Sequence, residues 1–479
     1  MPTVTSTTAT PKLPGYRPIP LIGARANLLR FFSDPIGHLL RLERRYGSVA
    51  ALTAGDPSFV CAFGAEHNHA VLSDPASFRN FVQVPFPVPA DSAASRVFKG
   101  IMSMNGDEHR RHRRLLQPLL GKAAVASYAA DIVGVTDRFC DRWSAGDPFD
   151  VMDGMAELTI SVSMRCLFGL DASDDTHALG PLGLRLLGLF SSPLTLLLPV
   201  NLPGTPYAQF LACCDRVEAS VRGLIREHRS GHSRGRDVLS LLLRARDDEA
   251  GGLTDDEVIA HVVSMIFAGQ DTVAATLAFT LILLSQHPDV LADIEAELDA
   301  VLRGAPPTGD DLARLPLLDA VIDESMRVLP AIVISLFRQP VTERRLGPYV
   351  LPAGSLVVLS PLVTHRDPDV FPEPLRFRPQ RWAAIKPGPY EYMPYGAGPR
   401  MCMGAVFAAH LLRTQLAMIL QRFRPVLQSG TRIDTQVRAA NLGTRAAVPL
   451  RLVDRRGAIS RPGGVRGSIC ELVAFPPSA

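Results

Sequence analysis

Cys402 is surrounded by residues that suit a thiol for binding a metal ion. It lies in the stretch PYGAGPRMCMG, residues 394–404, with a fixed positive charge at Arg400 two positions before the sulfur. Glycines let a backbone turn tightly and approach a flat ligand closely. This stretch holds three of them, Gly396, Gly398 and Gly404. The alternative interpretation is a buried, inert thiol beside a glycine-rich turn, which is the usual state of a lone cysteine.

The apolar spacing that follows Cys402 predicts a helix over residues 405–423. The sulfur would then stand at the N-terminus of that helix, where free N–H groups and the helix dipole stabilise negative charge. A thiolate is the form of cysteine that binds iron. The position of Cys402 therefore favours metal ligation, provided that the helix forms.

A second set of residues that could do chemistry lies inside a long apolar helix. Residues 255–286 have helical spacing and open with a capping box made by Thr254 and Glu257. The centre of this segment is apolar on every side, which predicts a helix that crosses the core. A carboxyl group in such a place, that of Asp271, is costly unless it has a partner or a task.

The residues around Asp271 favour a task over a structural role. Ala268 and Gly269 remove side-chain bulk, which leaves room for a small ligand and allows a local distortion of the helix. Thr272 supplies a hydroxyl group that can bond a bound dioxygen or a backbone carbonyl. The alternative interpretation is a surface-facing Asp–Thr pair with chance neighbours.

The composition predicts a compact, well-cored protein that does not bind nucleic acid. Of 479 residues, 47% are apolar, and 50 Lys and Arg nearly balance 47 Asp and Glu, which leaves a net charge of +3. Seven cysteines form no CxxC spacing and no disulfide framework, so a reducing, cytoplasmic compartment is expected. The polar N-terminus and the lack of an uninterrupted apolar stretch outside the core helix predict no transmembrane anchor.

The spacing patterns predict a mainly α-helical protein with small β-sheets. Helical patterns fill most of residues 105–330. Residues 45–63 are expected to form a hairpin. A second hairpin is expected to pair residues 349–351 with residues 355–359 across Pro352-Ala-Gly.

The ordered motifs of residues 12–454 resemble those of the cytochrome P-450 family. The stretch around Cys402 is similar to that family's haem-ligand signature, aromatic-Gly-x-Gly-x-Arg-x-Cys-x-Gly, and residues 268–272 resemble its oxygen-activation motif. Two positions depart from the family pattern. Tyr395 stands where Phe is usual, and its hydroxyl is expected to alter the electronics of the iron. His410 stands where an acid is common, which puts the identity of the redox partner in question.

The resemblance implies a P-450 fold in a single haem domain over residues 12–454. A polar tail would precede it at 1–11, and an extension of unknown role would follow it at 455–479. The cofactor would be haem b with Cys402 as the axial thiolate ligand of the iron. The residues expected against the cofactor and its two propionates are His109, Arg113, Ala268, Arg338, Tyr395, Gly396 and Arg400. Glu324, Arg327 and Arg381 resemble the family's structural triad.

The activity that the resemblance implies is a monooxygenase reaction. One oxygen atom of dioxygen would enter a lipophilic substrate by hydroxylation or epoxidation, with protons delivered by Asp271 and Thr272. The substrate would be a fatty acid, terpenoid, steroid or polyketide-like compound. Electrons would come from a separate ferredoxin or flavodoxin and its reductase, and the protein would act as a monomer in the cytoplasm. The alternatives are a peroxide-driven peroxygenase or isomerase on the same fold, and a non-catalytic haem sensor or electron carrier.

Overall fold

A computed structural model describes residues 11–18, 23–81, 86–143, 146–170, 179–231, 235–247, 251–438, 440–456 and 463–476. Residues 1–10 of the predicted polar tail lie outside the described residues. The α-helices are α1 Ala24–Ser33, α2 Pro35–Tyr46, α3 Ala65–Leu72, α4 Ala93–Val97, α5 Gly106–Leu116, α6 Lys122–Arg142, α7 Val151–Phe168, α8 Leu179–Phe190, α9 Pro193–Leu197, α10 Pro206–Arg229, α11 Val238–Arg244, α12 Asp255–Gln286, α13 Pro288–Leu302, α14 Gly309–Leu312, α15 Pro316–Val328, α16 Pro361–Thr364 and α17 Ala405–Arg422.

The strands are short and scattered between the helices. They are β1 Gly15–Tyr16, β2 Val49–Thr53, β3 Asp56–Ala62, β4 Phe78–Asn80, β5 Pro148–Asp150, β6 Arg246–Asp247, β7 Gly251–Gly252, β8 Arg338–Pro340, β9 Arg344–Leu346, β10 Tyr349–Leu351, β11 Leu356–Leu359, β12 Phe423–Leu427, β13 Thr431–Arg432, β14 Thr435–Arg438, β15 Asn441–Thr444, β16 Pro449–Asp454 and β17 Val465–Arg466. The predicted class, mainly α with small sheets, is confirmed.

The chain divides into two compact units. The first unit comprises residues 1–82, 333–372 and 387–401. Its core is a six-stranded sheet in the order β1-β2-β3-β11-β8-β4, with apolar side chains such as Val60 and Val357 fully buried. The hairpin predicted within residues 45–63 is present as the antiparallel pair β2–β3.

The second predicted hairpin is wrong. Strand β10 pairs with β9 and not with β11. Gly347, with a φ of 56°, lets the chain reverse directly in front of β10, so the nearer strand takes the pairing. Strand β11 instead pairs in parallel with β3 and antiparallel with β8 inside the large sheet.

The second unit comprises residues 83–332, 373–386 and 402–479 and is built around α12. This helix has the predicted bounds, and the capping box between Thr254 and Glu257 is formed. Helices α7, α4, α15 and α17 pack against it. By length and composition α12 could cross a membrane, as could residues 106–142 if their two bent helices were one span. The apolar window of α12 is 72% buried inside the protein, which is the setting of a core helix.

The C-terminal segment folds back onto the second unit. Strand β17 pairs with β13, and the side chains of Ile469, Leu472 and Val473 are fully buried. Ala474 donates its backbone N–H to the carbonyl of Leu375 at 2.8 Å. The part of the predicted extension that the structure describes is therefore an integral part of this unit.

Candidate active site

Within the first unit, the loop before Cys402 is shaped by two glycines with positive φ. Gly396 and Gly398 have φ values of 70° and 71°. A Cβ atom on Gly398 would lie 2.3 Å from the carbonyl oxygen of Leu72, so only glycine fits there. Tyr395 is half-buried in the same loop.

The first unit also brings two predicted cations together. Arg338 is buried in β8, and its guanidinium donates to the carbonyl of Leu336 at 2.9 Å. Burial, reinforced by the positive charge of Arg400, lowers the pKa of Arg338 to about 10. A buried cation such as Arg338, repelled by a second cation, is favourable only where negative charge is supplied to it.

Within the second unit, Cys402 lies just before α17, as predicted. Five of the seven cysteines are buried, whereas Cys402 is exposed. Burial by the surrounding protein nevertheless raises the pKa of the Cys402 thiol, against the opposing effects of the Gly404 N–H and of Arg113. Exposure and desolvation together describe a sulfur at the floor of a recess. Desolvation of the thiol therefore outweighs the nearby N–H group and positive charge that favour a thiolate.

Arg113 is the cation that lies near the sulfur in the second unit. It is half-buried on α5, one helical turn after the buried His109. Burial lowers the pKa of the Arg113 guanidinium, and the only opposing contribution comes from Cys402. Among the described residues Arg113 has no carboxylate partner.

The centre of α12 is less buried than most of the helix. Ala268 is exposed, and Gly269 is half-buried with free space where a Cβ would be. Thr272 donates its hydroxyl to the carbonyl of Ala268 at 2.9 Å, which is one of the two bonds expected of it. The helix remains α-helical throughout this stretch, so the predicted freedom to distort is not used here.

Asp271 has few partners. Burial raises its pKa, and the Asn441 amide and the charge of Arg438 oppose that rise. The Asn441 amide nitrogen lies 3.4 Å from the carboxylate, a long hydrogen bond. Among the described residues, no base is therefore paired with this carboxyl group, and burial keeps it from full hydration.

The residues of each unit fit a large anionic ligand that carries a metal. A recessed thiol with raised pKa becomes a thiolate when it ligates a metal cation. The unpaired charge of Arg113 suits a carboxylate, as does that of Arg338, which has no acidic partner among the described residues. A Cβ on Gly404 would stand 3.9 Å from the sulfur, so glycine keeps one side of it open. Haem, with iron and two propionates, has this combination of charges.

Glu324, Arg327 and Arg381 form one buried ion network in the second unit. Arg327 donates to both carboxylate oxygens of Glu324, at 2.8 and 2.9 Å, and Arg381 donates at 3.0 Å. Trp382 donates its indole N–H to the Glu324 carboxylate at 3.1 Å. Arg327 also donates to the carbonyl of Arg376 at 3.0 Å. The network thus ties α15 to the chain that follows residue 373.

Two features of the second unit were not predicted. His112 on α5 and His261 on α12 are both buried, with ring nitrogens 2.8 Å apart, and His112 lies 3.3 Å from Glu257. Burial lowers the pKa of both histidines, that of His261 to about 3. The other feature is the approach of Asn441 to Asp271. Each pair joins residues that are well over a hundred positions apart, so no local pattern announces it.

The model of the family described as Cytochrome P-450 matches residues 13–447. The chain therefore belongs to the cytochrome P-450 family and is a monooxygenase, an oxidoreductase whose cofactor is a haem with a cysteine-ligated iron. The resemblance inferred from its motifs is confirmed.

Curated relatives of the chain include two proteins of Streptomyces melanosporofaciens. The cyclooctat-9-en-7-ol 5-monooxygenase is 32% identical over 85% of this chain and 88% of its own length. The cyclooctatin synthase is 34% identical over 70% of this chain and 74% of its own length. Among solved structures, cyanobacterial CYP120A1 with retinoic acid bound has a TM-score of 0.80 and covers 93% of this chain and 100% of its own. Its identity is 22%, so this likeness bears on the fold.

Proposed function

We propose that this monooxygenase hydroxylates a lipophilic ring compound, and that the thiolate of Cys402 would ligate its haem iron. The observation that carries the proposal is the recessed Cys402 thiol just before α17, with Arg113 near it. Arg113 is a cation without a carboxylate partner among the residues that the structure describes. When bound, haem would supply dioxygen activation, and a cysteine thiolate on its iron would favour cleavage of the O–O bond.

In the second unit, His109 and Arg113 would bind haem propionate. In the first unit, Arg338 and Arg400 offer cations that suit a propionate. Ala268 would leave space on α12 for dioxygen. Tyr395 and Gly396 would also lie against the haem ring. Glu324, Arg327 and Arg381 would keep the preceding chain folded and would take no part in the reaction.

Asp271 and Thr272 would hold and move protons for the dioxygen chemistry that haem would supply. A carboxyl group whose pKa is raised by burial can hold a proton closer to neutral pH than an exposed one, which suits a general acid. The Thr272 hydroxyl is oriented by its bond to Ala268 and retains its oxygen lone pairs for a water or ligand. This pair favours dioxygen chemistry over the peroxide-driven and non-catalytic alternatives.

A lipophilic ring substrate is supported by two observations. The curated relative at 32% identity is named for its action on cyclooctat-9-en-7-ol, a cyclic alkene alcohol. In the second unit, aromatic rings cluster next to Ala268, with Phe267 5.7 Å from Phe98 and 6.2 Å from Phe190 between ring centroids. Such rings bind apolar ligands by area and shape.

The electrons would come from separate proteins, a ferredoxin or flavodoxin and its reductase, and the protein would work as a cytoplasmic monomer. Exposed cations on α5 and at the start of α6, Arg114 and Lys122, could attract an acidic carrier. On α17, burial lowers the pKa of His410, so this position presents a neutral group in place of the acid common in the family.

The decisive test is the carbon monoxide difference spectrum of the reduced haem protein. The wild-type protein is expected to give the red-shifted band of a thiolate ligand, and Cys402→Ser is expected to lose it. Cys470→Ser is the matched control, because Cys470 is the other exposed cysteine. A thiolate band that survives Cys402→Ser, or that disappears with Cys470→Ser, would overturn the assignment of the ligand.

Proton delivery is tested by Thr272→Ala, which should increase the share of electrons lost to hydrogen peroxide by about tenfold or more. Thr276→Ala is the matched control. Its hydroxyl makes the same kind of bond one turn later, donating to the carbonyl of Thr272 at 2.9 Å. Equal peroxide release from the two variants would remove Thr272 from the relay.

A further inference from the structure

Asp271 is held by a residue that lies 170 positions away in the chain. The Asn441 side-chain amide donates to one carboxylate oxygen of Asp271 at 3.4 Å. Among the described residues, Asn441 is the hydrogen-bond partner of this carboxyl group, and Arg438 is the one charged group with a resolved influence on it. The acid assigned to proton delivery therefore depends on a single neutral contact.

The backbone of Asn441 is fixed independently of its side chain. Asn441 pairs with Arg438 across the β14–β15 turn and forms an isolated bridge with Ile332. The next residue, Leu442, donates its N–H to the carbonyl of Ala331 at 2.8 Å. These bonds hold the tip of the hairpin whatever side chain stands at 441.

The base of the same hairpin is fixed by the C-terminal segment. The Thr435 N–H donates to the hydroxyl of Ser468 at 2.8 Å, and the Ser468 N–H donates to Asp434 at 3.0 Å. Because the hairpin is anchored at both ends, it holds the Asn441 amide in a fixed position near Asp271. The contact between the two side chains is thus not needed for the fold of the hairpin.

We propose that Asn441 is a positioning residue for proton delivery, whose carboxamide holds the Asp271 carboxyl group in both of its protonation states. A carboxamide can donate from its NH₂ group to a carboxylate and, after rotation, accept at its oxygen from a carboxylic acid. An arginine would favour the ionised acid alone, and an apolar residue would favour the neutral acid alone. The inference rests on the proposed function, because it takes Asp271 as the proton donor.

The test measures the protonation of Asp271 directly, by infrared difference spectroscopy of the haem-loaded protein between pH 4 and 9. The C=O stretch of a protonated carboxyl group that is lost in Asp271→Asn belongs to Asp271. Asn441→Leu removes the hydrogen bond to the carboxylate, so the midpoint of this band should rise by about one pH unit, a tenfold change in proton affinity. Asn441→Asp should raise it further, because two carboxyl groups then share the site.

Gln436→Leu is the matched control. It removes a carboxamide from the same hairpin, one that donates to the carbonyl of Thr444. Its band should titrate as in the wild-type protein. The thiolate band with carbon monoxide verifies that each variant is folded, and if Asn441→Leu fails to bind haem, the near-isosteric Asn441→Asp decides the question.

Two outcomes separate this inference from the function on which it rests. Titration of Asp271 at the wild-type midpoint in both Asn441 variants would overturn the positioning role, whatever the activity. If the midpoint shifts as expected but Asp271→Asn leaves peroxide release unchanged, Asn441 does control Asp271, and the assignment of Asp271 as proton donor is wrong. If both hold, the Asn441 variants should also shift the pH profile of peroxide release by the same amount as the infrared band.

Discussion

Two carboxyl groups of the second unit, that of the buried Glu324 and that of the half-buried Asp271, have surroundings that are opposite in kind. Glu324 accepts five hydrogen bonds, from two arginines, an indole and a backbone N–H. Asp271 accepts one long bond from a neutral amide. A buried charge that serves structure is saturated with partners, because any unpaired capacity costs stability. A carboxyl group that must gain and lose a proton cannot be held in this way, since saturation would fix it in one state.

The largest effect on the free energy of unfolding is expected for Arg327→Ala. This variant should lower the free energy of unfolding by about 3–5 kcal/mol, because it leaves Glu324 buried with an unmet charge. Haem content, read from the Soret absorbance, should fall with it. The matched control is Arg376→Ala, which removes a side chain that pairs with Glu373 at the surface and should cost less than about 1 kcal/mol. Equal chemical denaturation midpoints for the two variants would contradict the contrast.

The second largest effect is expected in the C-terminal segment, which packs next to the ion network around Glu324. Leu472→Ala should cost about 2–4 kcal/mol, since the side chain is fully buried in the C-terminal segment. Ala474 in that segment pairs with Arg376, whose carbonyl accepts from Arg327. Haem loss should therefore accompany the loss of stability. Cys470→Ala, at an exposed position of the same turn, should change the free energy of unfolding by less than about 0.5 kcal/mol.

A smaller, pH-dependent effect is expected at the histidine pair. Burial lowers the pKa of His261 from 6.5 to about 3 and lowers that of His112 as well. The charged groups that act on the pair are Glu257, Arg111 and Glu108. Below pH 6.5 the unfolded chain therefore binds more protons than the folded protein. Stability should fall with pH from there, by up to about 1.4 kcal/mol per pH unit for each histidine.

Replacing one member of the pair isolates this contribution. His261→Leu should be less stable than the wild-type protein at pH 7.5, because His112 loses its partner. Its free energy of unfolding should nevertheless decline more gently between pH 6.5 and 4. Urea denaturation at a series of pH values measures both. Parallel curves for the two proteins would mean that His261 does not charge on unfolding.

The surroundings of Glu324 were more predictable from the sequence than those of Asp271. Glu324 and Arg327 are one helical turn apart, and the capping box at Thr254 set the start of α12, so local spacing was sufficient for both. Pairings between distant segments were not predictable. Strand β11 pairs with β3, about 300 positions earlier, and nothing at Asp271 points to the partner that approaches from the β14–β15 turn.

The rise in the pKa of the Cys402 thiol was not predictable from the sequence for a related reason. The helix N-terminus and the Gly404 N–H are local and were predictable, whereas the desolvation that outweighs them comes from the folded surroundings of the sulfur. Sequence motifs pointed to Cys402 as the reactive group. They could not give the balance of forces on its proton, because burial is a property of the whole unit.

The smallest effect on stability is predicted for Asp271→Asn, and its sign is the sharpest test of the comparison. Burial raises the pKa of Asp271, so the folded protein favours the protonated acid, and ionisation at neutral pH works against folding. The neutral amide removes that cost. The variant should therefore be slightly more stable than the wild-type protein at pH 7, by about 1 kcal/mol or less, and the difference should vanish as the pH falls to 4. Denaturation at the two pH values measures it, beside the large loss of coupling expected in turnover. A destabilised Asp271→Asn at pH 7 would mean that the charge is satisfied after all, and that Asp271 resembles Glu324 more than it differs from it.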